Sequence, residues 1–207
     1  MPHTEVWFVR HGETCWNVAQ RYQGHGDSEL TDTGRVQVES LGKRFRNLAF
    51  DHLYSSDLGR ARSTAESIAR HSGHEIQLDP RLREKNLGIF EGLTVSEIQA
   101  QHLDTYIAFK TRGASFVLSG GESTLQLFER AWEFLEEMRD RHPGQRTVCV
   151  THGGTIRGLL KHTLGLVQDM PTRFRLHNTS LHQLYWVTDH WMAGCIGDTQ
   201  HLTDLPN

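Results

Sequence analysis

Two short apolar segments of the chain, residues 6–9 and 147–151, are each followed by a His-Gly dipeptide that begins at His11 or at His152. Short runs rich in β-branched and aromatic residues predict buried strands. If the two strands are parallel neighbours, about 4.8 Å apart, the two imidazoles face one another across a single pocket. The glycines let the chain turn sharply there and let backbone N–H groups approach a ligand closely.

Two arginines are predicted beside these histidines. Arg10 directly precedes His11, and Arg60 follows a third predicted strand, over residues 51–56, in the first turn of the next helix. A cation at a helix N-terminus is disfavoured by the helix dipole, so we expect an anionic group to compensate for Arg60. Two guanidiniums with imidazoles between them form a pocket for a tetrahedral oxyanion, above all phosphate.

One imidazole of such a pocket is free to act as a nucleophile. Guanidinium charges nearby lower the pKa of a histidine and keep it neutral, which is the form that attacks phosphorus. We expect this histidine to be an exposed residue at a strand end rather than part of the core. Phosphoryl transfer needs in-line positioning and charge neutralisation, and the arginines and the second imidazole supply both without a metal ion.

The elements that position these residues alternate between strand and helix patterns. This alternation predicts an α/β fold, a three-layer α/β/α sandwich with a mostly parallel central sheet. Thr31 is a predicted N-cap, and capping boxes at Thr94 and Ser123 predict two further helix starts. In the last of these helices, we expect a buried stripe of Leu125, Phe128, Trp132 and Leu135. Residues 180–187 and 191–196 are predicted strands at the sheet edge.

The bulk composition is that of an ordinary soluble globular protein. The chain has 207 residues, 37% hydrophobic and 23% charged, and a net charge of −3. We expect a single domain over 1–207 with a lid-like insertion at about 102–121. Scattered Lys and Arg argue against nucleic acid or an anionic membrane as partner. No apolar run approaches the roughly 18 residues of a membrane span, and no export signal is visible, so we expect a cytoplasmic protein.

Cysteine and histidine patterns give no sign of a metal site. The three cysteines have no C-x-x-C spacing, and Cys149 lies in a predicted strand as a small buried hydrophobe. The 14 histidines include no H-E-x-x-H cluster. We therefore predict no metal and no cofactor, and we expect most histidines outside the pocket, His182, His190 and His201 among them, to lie at the surface.

Taken in order, the motifs resemble the signature of the histidine phosphatase superfamily, also called phosphoglycerate-mutase-like, and specifically its metal-independent phosphatases. The resemblance covers nearly the whole chain. It rests on Arg10-His11-Gly12-Glu13-Thr14, Tyr22-Gln23-Gly24, Ser55-Ser56-Asp57-Leu58-Gly59-Arg60-Ala61, Leu82-Arg83-Glu84, Gly121-Glu122-Ser123 and Thr151-His152-Gly153.

This resemblance implies roles for individual residues. His11 becomes phosphorylated during turnover, and Glu84 gives a proton to the leaving oxygen and then takes one from water. The catalytic set is then His11, Glu84, His152, Arg10 and Arg60. The phosphate-binding set is Arg10, Asn17, Gln23, Gly24, Arg60, His152 and Gly153. Arg62, two residues from Arg60, lies on another helix face and is expected to be solvated.

Three functions fit these residues. The first is a metal-independent phosphatase that hydrolyses small phosphomonoesters through phospho-His11. The second is a 2,3-bisphosphoglycerate-dependent phosphoglycerate mutase; such mutases generally carry a longer insertion than the one here. The third, a non-catalytic module that binds phospho-ligands, fits least because the whole catalytic set is present.

The predicted partner is a small phosphorylated metabolite, and the sequence leaves its identity open. Lys110 and Arg112 are candidates to meet a second anionic group, as in phosphoglycerate or phosphoserine, or are solvated lid charges. Tyr106, Phe109 and Phe116 are candidates to contact an apolar leaving group, such as that of α-ribazole phosphate, or are lid packing. The oligomeric state, a homodimer included, is left open too.

Overall fold

The computed structural model describes residues 3–203 and contains a six-stranded mixed sheet. Its strands, in chain order, are β1 (Thr4–Arg10), β2 (His52–Ser55), β3 (Ile76–Leu78), β4 (Arg146–Thr151), β5 (Leu181–Val187) and β6 (His190–Asp198). Their spatial order is β3-β2-β4-β1-β5-β6. The first four are mutually parallel, β5 pairs antiparallel with β1, and β6 pairs antiparallel with β5. The α/β fold and the mostly parallel sheet are thus confirmed.

Helices cover both faces of this sheet. They are α1 (Cys15–Val18), α2 (Asp32–Phe45), α3 (Gly59–Ser72), α4 (Val95–Thr111), α5 (Thr124–Arg141) and α6 (Gly153–Thr163). Apolar side chains of α2 and α3 pack on one face of the sheet, and those of α5 and α6 pack on the other. None of the helices within residues 3–203 is long and apolar enough to cross a membrane.

Strands β1 and β4 are direct neighbours, as their sequences predict. Arg10 is paired with Thr151, and the backbone N–H of His11 donates to the Thr151 carbonyl at 3.0 Å. Both strands therefore stop at the same level of the sheet. This register alone brings His11 and His152 side by side, although 141 positions of sequence separate them.

The predicted helix starts are confirmed at their caps. The side chains of Thr31, Thr94 and Ser123 each accept a backbone N–H of the first turn. Of the predicted buried stripe of α5, Leu135 is confirmed, whereas Leu125 is 38% exposed and Phe128 and Trp132 are only half-buried. Its buried residues are Leu127, Ala131, Phe134, Leu135 and Met138. Leucines stand at both 125 and 127, so the sequence allowed two helix phases, and packing against β1 and α6 selects the second.

Helix α4 and the loop after it cover one side of the strand ends. The helix is broken at His102, whose φ of −143° and ψ of 40° are not helical, and then continues to Thr111. Residues 102–111, the first half of the predicted insertion, are therefore mostly helical. A separate apolar cluster lies beneath this segment: Leu87, Phe90, Ile98 and Leu118, with Tyr106, Phe109 and Phe116 packed against it.

Two sequence expectations outside the site have opposite outcomes. Cys149 is fully buried, as predicted. The expectation of a surface position is wrong for His182, which is fully buried in β5. Its Nε2 lies 2.9 Å from the Ser180 hydroxyl, and its Nδ1 accepts the backbone N–H of Gly197 at 3.1 Å. These two partners satisfy both ring nitrogens, which lets a neutral imidazole occupy the core.

Candidate active site

His11 lies at the end of β1 in a defined tautomer. Its Nδ1 is 2.7 Å from the carbonyl oxygen of Gly12. A carbonyl only accepts, so Nδ1 carries the proton and Nε2 keeps its lone pair. Burial, and after it the charges of Arg60 and Arg10, hold the pKa of His11 well below its usual range. His11 is thus a neutral imidazole with one basic nitrogen, the electronic state that nucleophilic attack requires.

The expectation that this histidine is exposed is wrong. Only 3% of His11 is accessible to solvent, and the segment that precedes β5 lies against the end of β1. The backbone N–H of Thr179 donates to the carbonyls of both Arg10 and His11, at 3.0 and 3.3 Å. Burial also contributes more to the lowered pKa than the guanidiniums that the sequence pointed to.

His152 stands directly behind His11. The ring centroids are 5.2 Å apart, and the ring planes are inclined by 55°. His152 is fully buried, and its Nε2 lies 2.9 Å from the hydroxyl of Ser56. Burial, followed by the charge of Arg60, holds its pKa well below the usual range. Its Nδ1 has no hydrogen-bond partner within residues 3–203.

Arg10 and Arg60 flank the histidine pair. Arg10 donates to the carbonyl of Leu176, and Arg60 donates to the carbonyls of Gly26 and Gly24, both at 2.8 Å. The Nε atoms of both arginines are buried and lack a partner in the described part of the chain. Buried polar groups are nearly always hydrogen-bonded. The two guanidinium N–H groups without an acceptor therefore indicate that an anionic ligand binds between Arg10 and Arg60.

Asp27 is the anionic group expected to compensate for Arg60. Its carboxylate accepts the backbone N–H of Gly59 at 2.6 Å and that of Arg60 at 3.3 Å, and it lies 3.5 Å from the Arg60 guanidinium. The N-terminus of α3 has no side-chain cap of its own at Leu58. Asp27 therefore caps this helix from a distant loop and offsets the unfavourable dipole at Arg60.

Glu84 follows the short helical turn Pro80–Leu82 and lines the same cavity as His11. Its Oε2 accepts the backbone N–H of Gly154 at 2.8 Å, and its Oε1 accepts that of Lys85 at 2.8 Å. The Glu84 backbone is fixed as well, because His25 and Arg130 both contact its carbonyl oxygen. The carboxylate is thus held at the N-terminus of α6, beside the candidate nucleophile.

Asn17, Gln23 and Gly24 complete the wall near His11. The hydroxyl of Thr14 lies 3.1 Å from both the Asn17 and the Gln23 side-chain oxygens, which ties α1 to the loop. Gly24 has a φ of +54°, and a Cβ added to it would lie 2.1 Å from Glu91 Oε1. Only glycine fits this position, and its carbonyl holds Arg60.

Two neighbouring residues, Asn178 and Glu91, were given no role by the sequence. Asn178 donates to the carbonyl of His11 at 3.0 Å and lies 3.3 Å from Asn17 Oδ1. Glu91 accepts the backbone N–H groups of His25, Gly26 and Leu87 at 2.8 to 3.0 Å. The dipeptide Glu91-Gly92 belongs to the motifs of the family resemblance, whereas no local pattern marks Asn178.

A cavity of about 500 Å³ opens between α4, α6 and the strand ends. Arg10, His11, Asn17, Gln23, Gly24, Arg60, Glu84 and Gly153 all line it, and fully buried His152 lies beside His11. Within residues 3–203 no group of three His, Cys, Asp or Glu side chains is arranged to hold a metal ion. Arg62 points away and pairs with Glu66 on the surface, as predicted.

Comparisons with known proteins agree with this geometry. The family model of the histidine phosphatase superfamily (branch 1) matches residues 6–199. The probable phosphoglycerate mutase GpmB of Erwinia tasmaniensis is 36% identical over 205 residues, which cover 97% of this chain and 95% of that protein.

Two solved structures extend the comparison. Bacillus stearothermophilus YhfR superimposes with a TM-score of 0.87 at 32% identity, covering 96% of this chain and 99% of that one. A mycobacterial glucosyl-3-phosphoglycerate phosphatase in complex with VO3 has a TM-score of 0.81 at 29% identity, covering 93% of this chain and 98% of that one.

Proposed function

The chain belongs to the histidine phosphatase superfamily, branch 1, and on that premise we propose that it hydrolyses small phosphomonoesters through a phosphohistidine on His11. One observation carries the proposal above the others. The Nδ1–H of His11 is fixed on the Gly12 carbonyl, so its Nε2 lone pair is free between two arginines whose buried Nε atoms lack partners within residues 3–203.

In the first half-reaction, His11 Nε2 attacks phosphorus, the N–P bond forms and the ester P–O bond breaks. Glu84 gives a proton to the departing oxygen. Arg10 and Arg60 bind the phosphoryl oxygens and offset the charge that develops on them. His152, behind His11, adds a ring N–H toward the same group when Nδ1 is the protonated nitrogen.

In the second half-reaction, water attacks phosphorus while Glu84 accepts its proton. The N–P bond breaks, inorganic phosphate leaves, and His11 regains its Nε2 lone pair. Glu84 is an ionised carboxylate at the end of the first half-reaction, so it can act as the base in the second half-reaction. Positioning and charge neutralisation come from protein groups, so the proposed reaction needs no metal ion.

The name of the Erwinia relative favours a second candidate, a phosphoglycerate mutase. The family resemblance adds that such a mutase would depend on 2,3-bisphosphoglycerate. A mutase returns the phosphoryl group to a bound acid and must exclude water meanwhile. The name of the mycobacterial neighbour favours hydrolysis instead. We place hydrolysis first because the predicted insertion over the site, residues 102–121, is a short helical segment and a loop packed on a small apolar cluster, whereas mutases generally carry a longer insertion.

The deciding experiment measures phosphate release from a panel of phosphomonoesters in EDTA, beside a coupled 3- to 2-phosphoglycerate assay with and without 2,3-bisphosphoglycerate. Hydrolysis without isomerisation supports the phosphatase. Isomerisation that needs the bisphosphate, with little release of phosphate, identifies the mutase. Binding of phosphate esters with neither reaction overturns both and leaves the non-catalytic module.

A further inference from the structure

The cavity holds more positive charge than a single phosphoryl group requires. Arg10 and Arg60 flank the histidines, and Arg21 is paired with Glu97 at 2.6 Å. The remaining cations on its wall are Lys85, Arg157 and Lys161, and Glu84 is the acidic residue on that wall. Unpaired cations in a confined, partly apolar cavity attract anions strongly, because the surroundings screen charge less than bulk water does.

Lys161 is committed to the protein itself. Its ammonium donates to the carbonyl oxygens of Gln168 at 2.7 Å and of Met170, which fixes the segment after α6. The two lid cations singled out by the sequence, Lys110 and Arg112, line only a neighbouring cavity and not the catalytic one. Both are exposed, with their charged ends over the rings of Phe109 and Phe116. Lys85 and Arg157 are therefore the two cations of the cavity wall that have no assigned role.

Lys85 and Arg157 approach the catalytic centre from two sides. Arg157 is one helical turn beyond Gly153 on α6, about 6 Å along the axis, and both residues line the cavity. Lys85 directly follows Glu84 and is held by the Thr124 hydroxyl at 2.9 Å. Both cations also border the neighbouring cavity, so they stand where the two cavities join.

Neither cation has an acidic partner. In the described part of the chain, neither Lys85 nor Arg157 forms an ion pair with a carboxylate. Burial lowers the pKa of Lys85, and the nearby charges of Glu122 and Glu84 only partly oppose this effect. Arg157 is close enough to Arg10 for its charge to lower the pKa of that guanidinium. An anion bound between Lys85 and Arg157 would stabilise the charged form of Lys85 and would offset the repulsion between Arg157 and Arg10.

We propose that Lys85 and Arg157 bind a second anionic group of the substrate, a carboxylate or a second phosphate joined to the transferred phosphoryl group by a short carbon skeleton. The inference rests on the proposed phosphatase function and narrows its substrate class. It assigns substrate specificity to Arg157 on α6 and to Lys85 rather than to the charged residues of the predicted insertion. Phe109 of α4, which also lines the cavity, then covers the carbon skeleton between the two anionic groups.

The test compares esters that differ in the second anion alone. The carboxylate pair is 3-phosphoglycerate against glycerol 3-phosphate, and the phosphate pair is 1,3-propanediol bisphosphate against its monophosphate. For each pair, the ratio of kcat/KM values is measured for the wild type, Lys85→Met and Arg157→Gln. Lys43→Met and Arg62→Gln are matched controls at exposed positions outside the cavity.

We expect the wild type to prefer the member with the second anionic group, in one of the two pairs, by about tenfold or more, the effect of one charge-assisted contact. That ratio should fall toward one in Lys85→Met and in Arg157→Gln and should persist in both controls. The pair that responds identifies the anion. A ratio near one in the wild type, or a ratio unchanged in both variants, overturns the inference. p-Nitrophenyl phosphate is assayed in parallel. If the wild type hydrolyses neither it nor the other esters, the result contradicts the proposed phosphatase function rather than this inference.

Discussion

The Glu84 carboxylate is seated against Gly154, whose backbone N–H donates to Oε2 at 2.8 Å. A Cβ added to Gly154 would lie 2.1 Å from Glu84 Oε1. The position of the candidate acid therefore depends on the absence of a side chain at residue 154 of α6, and any other residue there must displace the Glu84 carboxylate.

Gly154→Ala should consequently separate stability from activity. Alanine favours a helix by up to about 1 kcal/mol over glycine, so the melting temperature should not fall far, while kcat should drop about tenfold or more as Glu84 is displaced. Gly158→Ala is the control on the same helix, because its added Cβ would meet its nearest atoms at an ordinary 3.8 Å. Similar kinetic effects from both substitutions would contradict the role assigned to Gly154.

Glu84→Gln should act through the leaving group. The amide cannot give up a proton, so alkyl phosphates should slow by about 10²-fold or more, whereas p-nitrophenyl phosphate, whose leaving group needs little protonation, should slow much less. Steady-state kinetics on both esters measure the difference. In Glu122→Gln, where the carboxylate pairs with Arg130 outside the reaction, both esters should change alike. Equal losses in Glu84→Gln would remove Glu84 from the acid role.

His11→Ala should abolish turnover and the covalent intermediate together. With a 32P-labelled ester, rapid quenching should trap acid-labile label on the wild type and none on the variant. Because His11 is buried against His152, circular dichroism and thermal unfolding must accompany the assay. A folded variant that still releases phosphate, or still takes up acid-labile label, would exclude His11 as the nucleophile.

Asp27 should act as a positioning residue for Arg60. Asp27→Ala removes the acceptor for two N–H groups of α3 and should cost about 1 kcal/mol of stability. It should also raise KM several-fold with a smaller change in kcat, because Arg60 binds phosphate less firmly. Asp27→Asn keeps one acceptor oxygen and should recover part of both losses. Asp32→Ala, at an exposed first-turn position of α2, is the control. A fall in kcat with KM unchanged would contradict positioning.

The sequence was sufficient to predict the parts of the site that depend on local pattern. Strand runs that end in His-Gly predicted the convergence of His11 and His152, and a helix start after β2 predicted Arg60 near them. It did not predict the contact of Asp27 with the N-terminus of α3 or that of Asn178 with the His11 carbonyl. The residues of these two contacts are 32 and 167 positions apart, and Asp27 and Asn178 lie in loops without a periodic pattern. The burial of His11 was missed for the same reason, since the covering residue Thr179 comes from the far end of the chain.

The buried histidine of β5 should make the fold sensitive to acid. Nδ1 of His182 accepts the Gly197 N–H, so protonation there would lose an acceptor, and burial lowers the pKa of His182 to about 4. In the unfolded chain this pKa is about 6.5. Between these values, the unfolded state binds a proton that the native state does not, so stability should fall as pH falls from 6.5 to 4, by at most about 3 kcal/mol for this group.

Urea unfolding from pH 7.5 to 4.5 measures this dependence. In His182→Asn, the amide oxygen can replace Nδ1 as acceptor without titrating. This variant should be less stable than the wild type at pH 7.5 because of imperfect packing, but its stability should decline less steeply below pH 6.5. The difference in slope should approach about 1 kcal/mol per pH unit. Because His201, with a pKa of about 4, is retained in both proteins, its contribution cancels. Parallel curves would show that His182 does not set the acid limit of the fold.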